Sequence, residues 1–280
     1  MSNIKFTERQ AVHQQDFKSY DTERIREEFL VSDMFHENEF NFVYSMYDRL
    51  VIGGIVPTKR TQLEPFDSLK AENFLDRREM GVINIGKSGK VTADGQTFDL
   101  AFKDALYIGV GSKDIYFESD NPSEPARFYI ASAPAHHTYP TKKVTLKDAE
   151  VVHLGNQEAS NERKLNKMIA TGIIETCQLQ MGITVMSEGC VWNTMPPHTH
   201  GRRMEAYMYF EVPEEHGICH FMGHPQRTRH IWMKNEEAVL SPSWSIHSAA
   251  GTYSYSFVWT MAGENLAFTD MDAWKIQDLR

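Results

Sequence analysis

His198 and His200 stand two apart in the segment WNTMPPHTHGRRMEAYMYFEV. On a β-strand, residues i and i+2 point to the same face, so both imidazoles can aim at one point. Gly201 supplies a turn directly afterwards, and Glu205 opens an aromatic-rich strand, EAYMYFEV, that returns past the first. An adjacent antiparallel strand can bring its carboxylate to the same point. Further on, SPSWSIHSAAG places His247 at the end of another short strand. Three imidazole nitrogens and one carboxylate oxygen form a ligand set for zinc, iron, manganese or nickel. The plainer alternative has His198 and His200 capping a solvent-facing hairpin while His247 packs in a loop.

Those side chains need strands to hold them, and the chain is rich in strand signals. A helix is expected near the start, in YDTERIREEFL, where Ile25, Phe29 and Leu30 fall at i, i+4 and i+5 and Asp21 or Thr22 can cap it. From FNFVYSMYDRLVIGGIVP onward, aromatic and β-branched runs alternate with turn residues. The stretch from Met80 to Ser119 reads as a meander, with Asp94-Gly95 as a hairpin signal. The segment from about Ala133 to Ile169 is polar and reads as a crossover between two β units. Strands resume after Glu175, in ETCQLQMGITVM, EAYMYFEV, GICHFMG, RHIWMK, EAVLSP and YSYSFVWTMAG. Short strands at this spacing, without alternating long helices, indicate an all-β sandwich or jelly roll rather than a parallel α/β fold.

Length and charge bound the function classes. The chain has 280 residues, with 29 Lys and Arg against 38 Asp and Glu, for a net charge of −9. That balance argues against a generally basic nucleic-acid surface. No apolar run reaches the length a membrane helix needs, and no secretory signal is read at the N-terminus. Three cysteines, Cys177, Cys190 and Cys219, with no CxxC spacing, fit a reducing compartment. A cytoplasmic location, with no nucleic-acid or membrane partner, is expected.

The HxH, Glu and later Pro242/His247 pattern resembles the cupin superfamily, although Trp244 stands where the second cupin motif usually has Gly. The N-terminal meander has the same texture without an HxH. The resemblance implies an all-β bicupin of two jelly-roll or β-barrel domains with a few short helices. It divides the chain into 1–150, a degenerate domain without metal, and 151–280, the metal-binding domain. Longer blocks, among them DRLVIGGIVP, FLDRREMGVINIG, DALYIGVGSK, PAHHTYPTKKVT, WNTMPPHTHGRRMEAYMYF and SPSWSIHS, are similar to the 5-keto-4-deoxyuronate isomerase family, also called 4-deoxy-L-threo-5-hexosulose-uronate ketol-isomerases. This resemblance implies one Zn2+ per subunit on His198, His200, Glu205 and His247. It also implies a homohexamer, a small deoxy-keto-uronate substrate, and a place in the degradation of pectin or other uronate polymers.

The reaction so implied moves a carbonyl from C1 to C2 of a sugar acid. A metal would polarise the oxygens, and either a general base would carry a proton between the carbons or the metal would assist a hydride shift. Glu264, His136 and Tyr207 are the candidate catalytic bases. Arg202, Arg203, Lys142 and Lys143 are the candidate partners for the substrate carboxylate. Two rival readings use the same residues: an Fe(II) cupin dioxygenase and a non-catalytic sugar-acid binding module.

Overall fold

The computed structural model describes residues 3–280. Strands dominate, and the only α-helix among the described residues is Thr22–Phe29, begun by the Asp21 carboxylate accepting from the Arg24 N–H at 2.9 Å. The chain forms two compact units, each assembled from several segments.

The first unit comprises Asp33–Ala149, the segment ending at Arg9, and Met168–Met181. Its larger sheet runs Ile4–Arg9, Glu39–Ser45, Val51–Ile55, Phe128–Pro134, Arg78–Asn84, Ala105–Ile108, Lys142–Val144. Only the first pair is parallel. A second sheet, of Thr61–Gln62, Tyr116–Ser119, Gly89–Ala93 and Gln96–Leu100, encloses a core in which Phe40, Phe42, Phe117 and Phe128 are fully buried. Asp94 and Gly95, at φ 50 and 80, close the hairpin between the last two sequential strands. Positive φ at both central residues gives the turn the twist that strand pairing requires. The buried Glu79 carboxylate ties Met168–Met181 into this unit. It accepts from the Tyr107 hydroxyl and from the backbone N–H groups of Cys177, Gln178 and Leu179, each at 2.8 Å. Four donors offset the desolvation that a buried carboxylate would otherwise suffer.

The second unit comprises Gln10–Ser32, Glu150–Lys167 and Gly182–Arg280. Its seven-stranded sheet runs Glu150–Leu154, Arg163–Ile169, Gln180–Met186, Ser256–Gly263, Arg203–Phe210, Ala238–Ser241, Leu30–Val31. A four-stranded sheet runs Trp192–Asn193, Ile246–Gly251, Ile218–His224, Arg227–Met233, and a short pair joins His198–Thr199 to Asp272–Ala273. The segment expected to be a crossover therefore contributes three strands, Lys142–Val144, Glu150–Leu154 and Arg163–Ile169. At Gly182 a Cβ would stand 2.2 Å from both the Asn166 carbonyl oxygen and the Trp259 ring. Glycine there lets the indole lie against the sheet.

The N-terminal segment belongs to this second unit. Leu30 and Val31 pair with Val239 and Ala238 at the sheet edge. Phe17 and Phe29 pack on Trp244, at centroid separations of 5.2 and 6.4 Å. Trp244, in the place where the second motif usually has Gly, is therefore an apolar anchor that fixes the turn ahead of His247.

Candidate metal centre

Two strands and the loop between them build most of the centre. His198 lies in the short strand His198–Thr199, while His200 follows it and leads through Gly201 and Arg202 into Arg203–Phe210. Glu205 sits within that long strand, hydrogen-bonded in register between Ser241 and Met261. His247 is the second residue of Ile246–Gly251, opposite Met222, so it opens a strand rather than ending one. The loop before it is pinned by Ser245, whose N–H donates to the Pro242 carbonyl and whose hydroxyl accepts from the Gly223 N–H.

The four side chains converge, with donor atoms all within 4.8 Å of one another. His198 Nε2 lies 3.0 Å from the Nε2 atoms of both His200 and His247. Glu205 Oε2 lies 3.1 Å from His200 Nε2 and 2.9 Å from His247 Nε2. Two donors held on one ion at about 2.1 Å stand roughly 3.0 Å apart at right angles and roughly 3.4 Å apart at the tetrahedral angle. These four separations are short enough for one shared ion, which His198, His200, Glu205 and His247 would hold. Ring nitrogens crowded to this distance repel one another unless a proton or a cation lies between them, so the donor set fits a divalent metal.

Protonation supports the same reading. His200 Nδ1 lies 2.7 Å from the Asp270 carbonyl oxygen, which can only accept, so Nδ1 carries the proton and Nε2 presents its lone pair to the cluster. Arg203 Nε, at 3.3 Å from the same Nδ1, therefore rests against the ring without a true hydrogen bond. Burial pushes His198 down to about 2, with the neighbouring His247 and His200 adding to the effect, so its imidazole is neutral. Burial alone would raise the Glu205 carboxyl, but His247 and His200 outweigh it and hold it well below the usual carboxylate range.

The centre opens on a cavity of about 620 Å³ whose wall includes His198, His200, Glu205, Tyr207, Trp259 and Phe268. A cavity of this size suits a small polar metabolite. Tyr207 is buried, two residues from Glu205 on the same strand face, with its ring 5.3 Å from that of His247 and its hydroxyl 3.0 Å from Thr194 Oγ1. Burial, together with the Glu205 charge, raises its phenol well above the ordinary value, so the hydroxyl keeps its proton. Thr194 itself holds φ 52, strained for a β-branched residue, and its carbonyl accepts from Ser248 Oγ at 2.7 Å.

The other sequence candidates are placed elsewhere. Arg202 and Glu264 pair with each other at 2.9 Å, their side chains 59% and 69% exposed, and neither lines the cavity. Arg203 is buried beneath His200, donating from Nη2 to the Phe268 carbonyl, and is also absent from the wall. His136, Lys142 and Lys143 belong to the first unit. There His136 is exposed, Lys142 donates to the Ile173 carbonyl, and Lys143 pairs with Asp104 at 2.8 Å. The cations in the wall are Arg163 and Lys167, which the sequence reading missed. With Leu165 they alternate along Arg163–Ile169, so one strand face carries all three inward.

Comparison with known proteins extends these observations. The KduI/IolB family profile matches residues 29–277. The chain is 53% identical over 279 residues to a 4-deoxy-L-threo-5-hexosulose-uronate ketol-isomerase of Formosa agariphila, covering 99% of this chain and 100% of the relative. It is 55% identical over 273 residues to the protein of the same name from Bacteroides fragilis, covering 97% and 98%. An IolB-like protein of Salmonella typhimurium superposes with a TM-score of 0.64 at 14% identity, over 80% of this chain and 86% of that one. Oxalate decarboxylase of Bacillus subtilis superposes with a TM-score of 0.56 at 11% identity, over 80% and 70%. The last two similarities speak to the fold alone.

Proposed function

The chain belongs to the KduI/IolB family, and from that membership and the four-donor centre we propose that it is a metal-dependent ketol isomerase acting on 5-keto-4-deoxyuronate. The product is 3-deoxy-D-glycero-2,5-hexodiulosonate, and the pathway is the breakdown of pectin or related uronate polymers. The relatives named as uronate ketol-isomerases support an isomerase. The single observation that carries the metal dependence is the convergence of His198, His200, Glu205 and His247, the first three of which stand in the wall of one cavity.

The reaction conserves oxidation state overall. One proton leaves C2, one arrives at C1, and the hydroxyl proton passes from O2 to O1 as the carbonyl moves. A divalent ion on the four donors, zinc in this proposal, supplies Lewis acidity toward the adjacent oxygens. His200, locked by Asp270, and Glu205 hold their lone pairs toward the centre. Tyr207 is the one candidate base that lines the cavity. Because its phenol stays protonated, its role is to present a proton to the oxygen that gains negative charge. Thr194, bonded to that hydroxyl, fixes its direction. The apolar wall of Trp259, Phe257 and Met261 excludes water from the exchange.

The test is anaerobic turnover. Purified protein with its metal content measured is mixed with 5-keto-4-deoxyuronate under strict exclusion of oxygen, and the products are followed by NMR. Interconversion with the 2,5-diketo isomer, lost on chelation and restored by zinc, is expected. Oxygen consumption without anaerobic turnover would overturn the isomerase in favour of a dioxygenase, and binding without turnover would reduce the protein to a sugar-acid binder.

A further inference from the structure

We infer that Arg163 is the residue that receives the substrate's carboxylate and so sets the preference for a sugar acid over a neutral sugar. This rests on the isomerase reading and deepens it. Among the described residues, Arg163 and Lys167 are the lysines and arginines in the cavity wall. Their situations differ. Lys167 Nζ lies 2.7 Å from Glu150 Oε1 and 4.5 Å from the centroid of the Phe268 ring, so its charge already has partners. Arg163 is only 9% exposed, and its one hydrogen bond is from Nη1 to the Asn161 carbonyl, at 2.7 Å. No carboxylate pairs with it among the described residues.

A guanidinium withdrawn from water beside an aromatic and aliphatic wall calls for an anion. The remaining N–H groups form a planar fork that matches the two oxygens of a carboxylate. Glu205, the only acidic residue in the wall among the described residues, is engaged with His200 and His247. The cavity thus offers one unmet cation and one metal centre. A six-carbon chain with its acid at C6 and its reacting carbonyl at C1 presents complementary groups at its two ends. Burial lowers the Arg163 guanidinium from its ordinary value, yet a guanidinium remains charged at neutral pH.

The experiment compares kcat/KM for the natural acid and for its C6 amide. Wild-type protein is expected to favour the acid by roughly 30-fold or more, as a charge-assisted bidentate contact implies. Arg163→Gln should bring the ratio to within about threefold of unity, by losing roughly tenfold or more on the acid beyond whatever it loses on the amide. Arg163→Lys, which keeps the charge but not the fork, should give an intermediate ratio and decides the matter if the Gln variant fails to fold. An unchanged ratio in the Lys and Gln variants, or equal losses on acid and amide, would overturn the assignment. Wild-type protein that turns over neither compound would strike the isomerase reading instead. Calorimetric binding of the acid and the amide then makes the same comparison without turnover: equal affinities in wild type overturn the carboxylate site, and a preference lost in the variants supports it.

Discussion

Replacing Glu205 with Gln tests the centre at its only charged donor. The substitution is nearly isosteric, keeps an oxygen in place, and removes one negative charge from a buried group that touches His200 at 3.1 Å and His247 at 2.9 Å. With Glu205, a divalent ion in this pocket carries a net charge of about +1; with Gln it carries about +2, shielded by three neutral imidazoles. Removing one partner of a buried charge pair typically costs about 3–5 kcal/mol. At 1.4 kcal/mol per decade, that is a loss of roughly two to three and a half decades in metal affinity. The assay is competition with a chromophoric chelator at fixed pH, read alongside metal content after dialysis. An affinity change of less than tenfold would refute the reasoning, since it would mean that the ion does not draw on this carboxylate.

Three further outcomes are expected. Tyr207→Phe should lower kcat by about 10²–10⁴-fold with little change in KM, because the phenol acts on the oxygen that becomes charged; an unchanged kcat would remove Tyr207 from the chemistry. Trp244→Ala should destabilise the protein by about 2–4 kcal/mol in urea unfolding and weaken metal retention, by releasing the packing of Phe17 and Phe29 on the turn before His247; lost stability with wild-type metal affinity would uncouple the two. Metal-free protein should lose stability as pH falls below about 6. Burial depresses His198 to about 2 and His220 to about 3, so the unfolded chain binds more protons than the folded one between those values and the ordinary imidazole pKa. Stability therefore rises with pH across that window, by up to about 1.4 kcal/mol per pH unit for each histidine. A flat urea midpoint between pH 4 and 6 would contradict it.

The four converging side chains were legible because they announce themselves in local spacing: His198 and His200 two apart, Glu205 on the returning strand, His247 after a turn. Alternation along that same strand also named Tyr207. Arg163 and Lys167 were hidden for a physical reason. Strand reading relies on apolar residues facing inward, and here the inward face of Arg163–Ile169 lines a cavity and is partly polar, so RKLNKMI looked like a solvated crossover. The basic pairs Arg202–Arg203 and Lys142–Lys143 stood near the motif blocks, but their partners are decided by tertiary contacts: Glu264, the Phe268 and Ile173 carbonyls, and Asp104. The assignment of Gln10–Ser32 to the second unit has no local signature either, since Leu30 and Val31 find their strand partner more than two hundred positions later.

That last arrangement bears on how the protein is made. Gln10–Ser32 leaves the ribosome about two hundred residues ahead of the edge strand Ala238–Ser241 and the Trp244 turn that cover it. At about 5–20 residues per second, Phe17 and Phe29 wait on the order of tens of seconds without their partners. His247 arrives in the same late stretch, as does the Asp270 carbonyl that orients His200. The four-donor cluster is thus complete only after these segments have emerged. A chain interrupted before Ala238 would leave the apolar face of this helix, Ile25 and Phe29, uncovered, a mark by which chaperones and proteases can sort incomplete copies from finished ones.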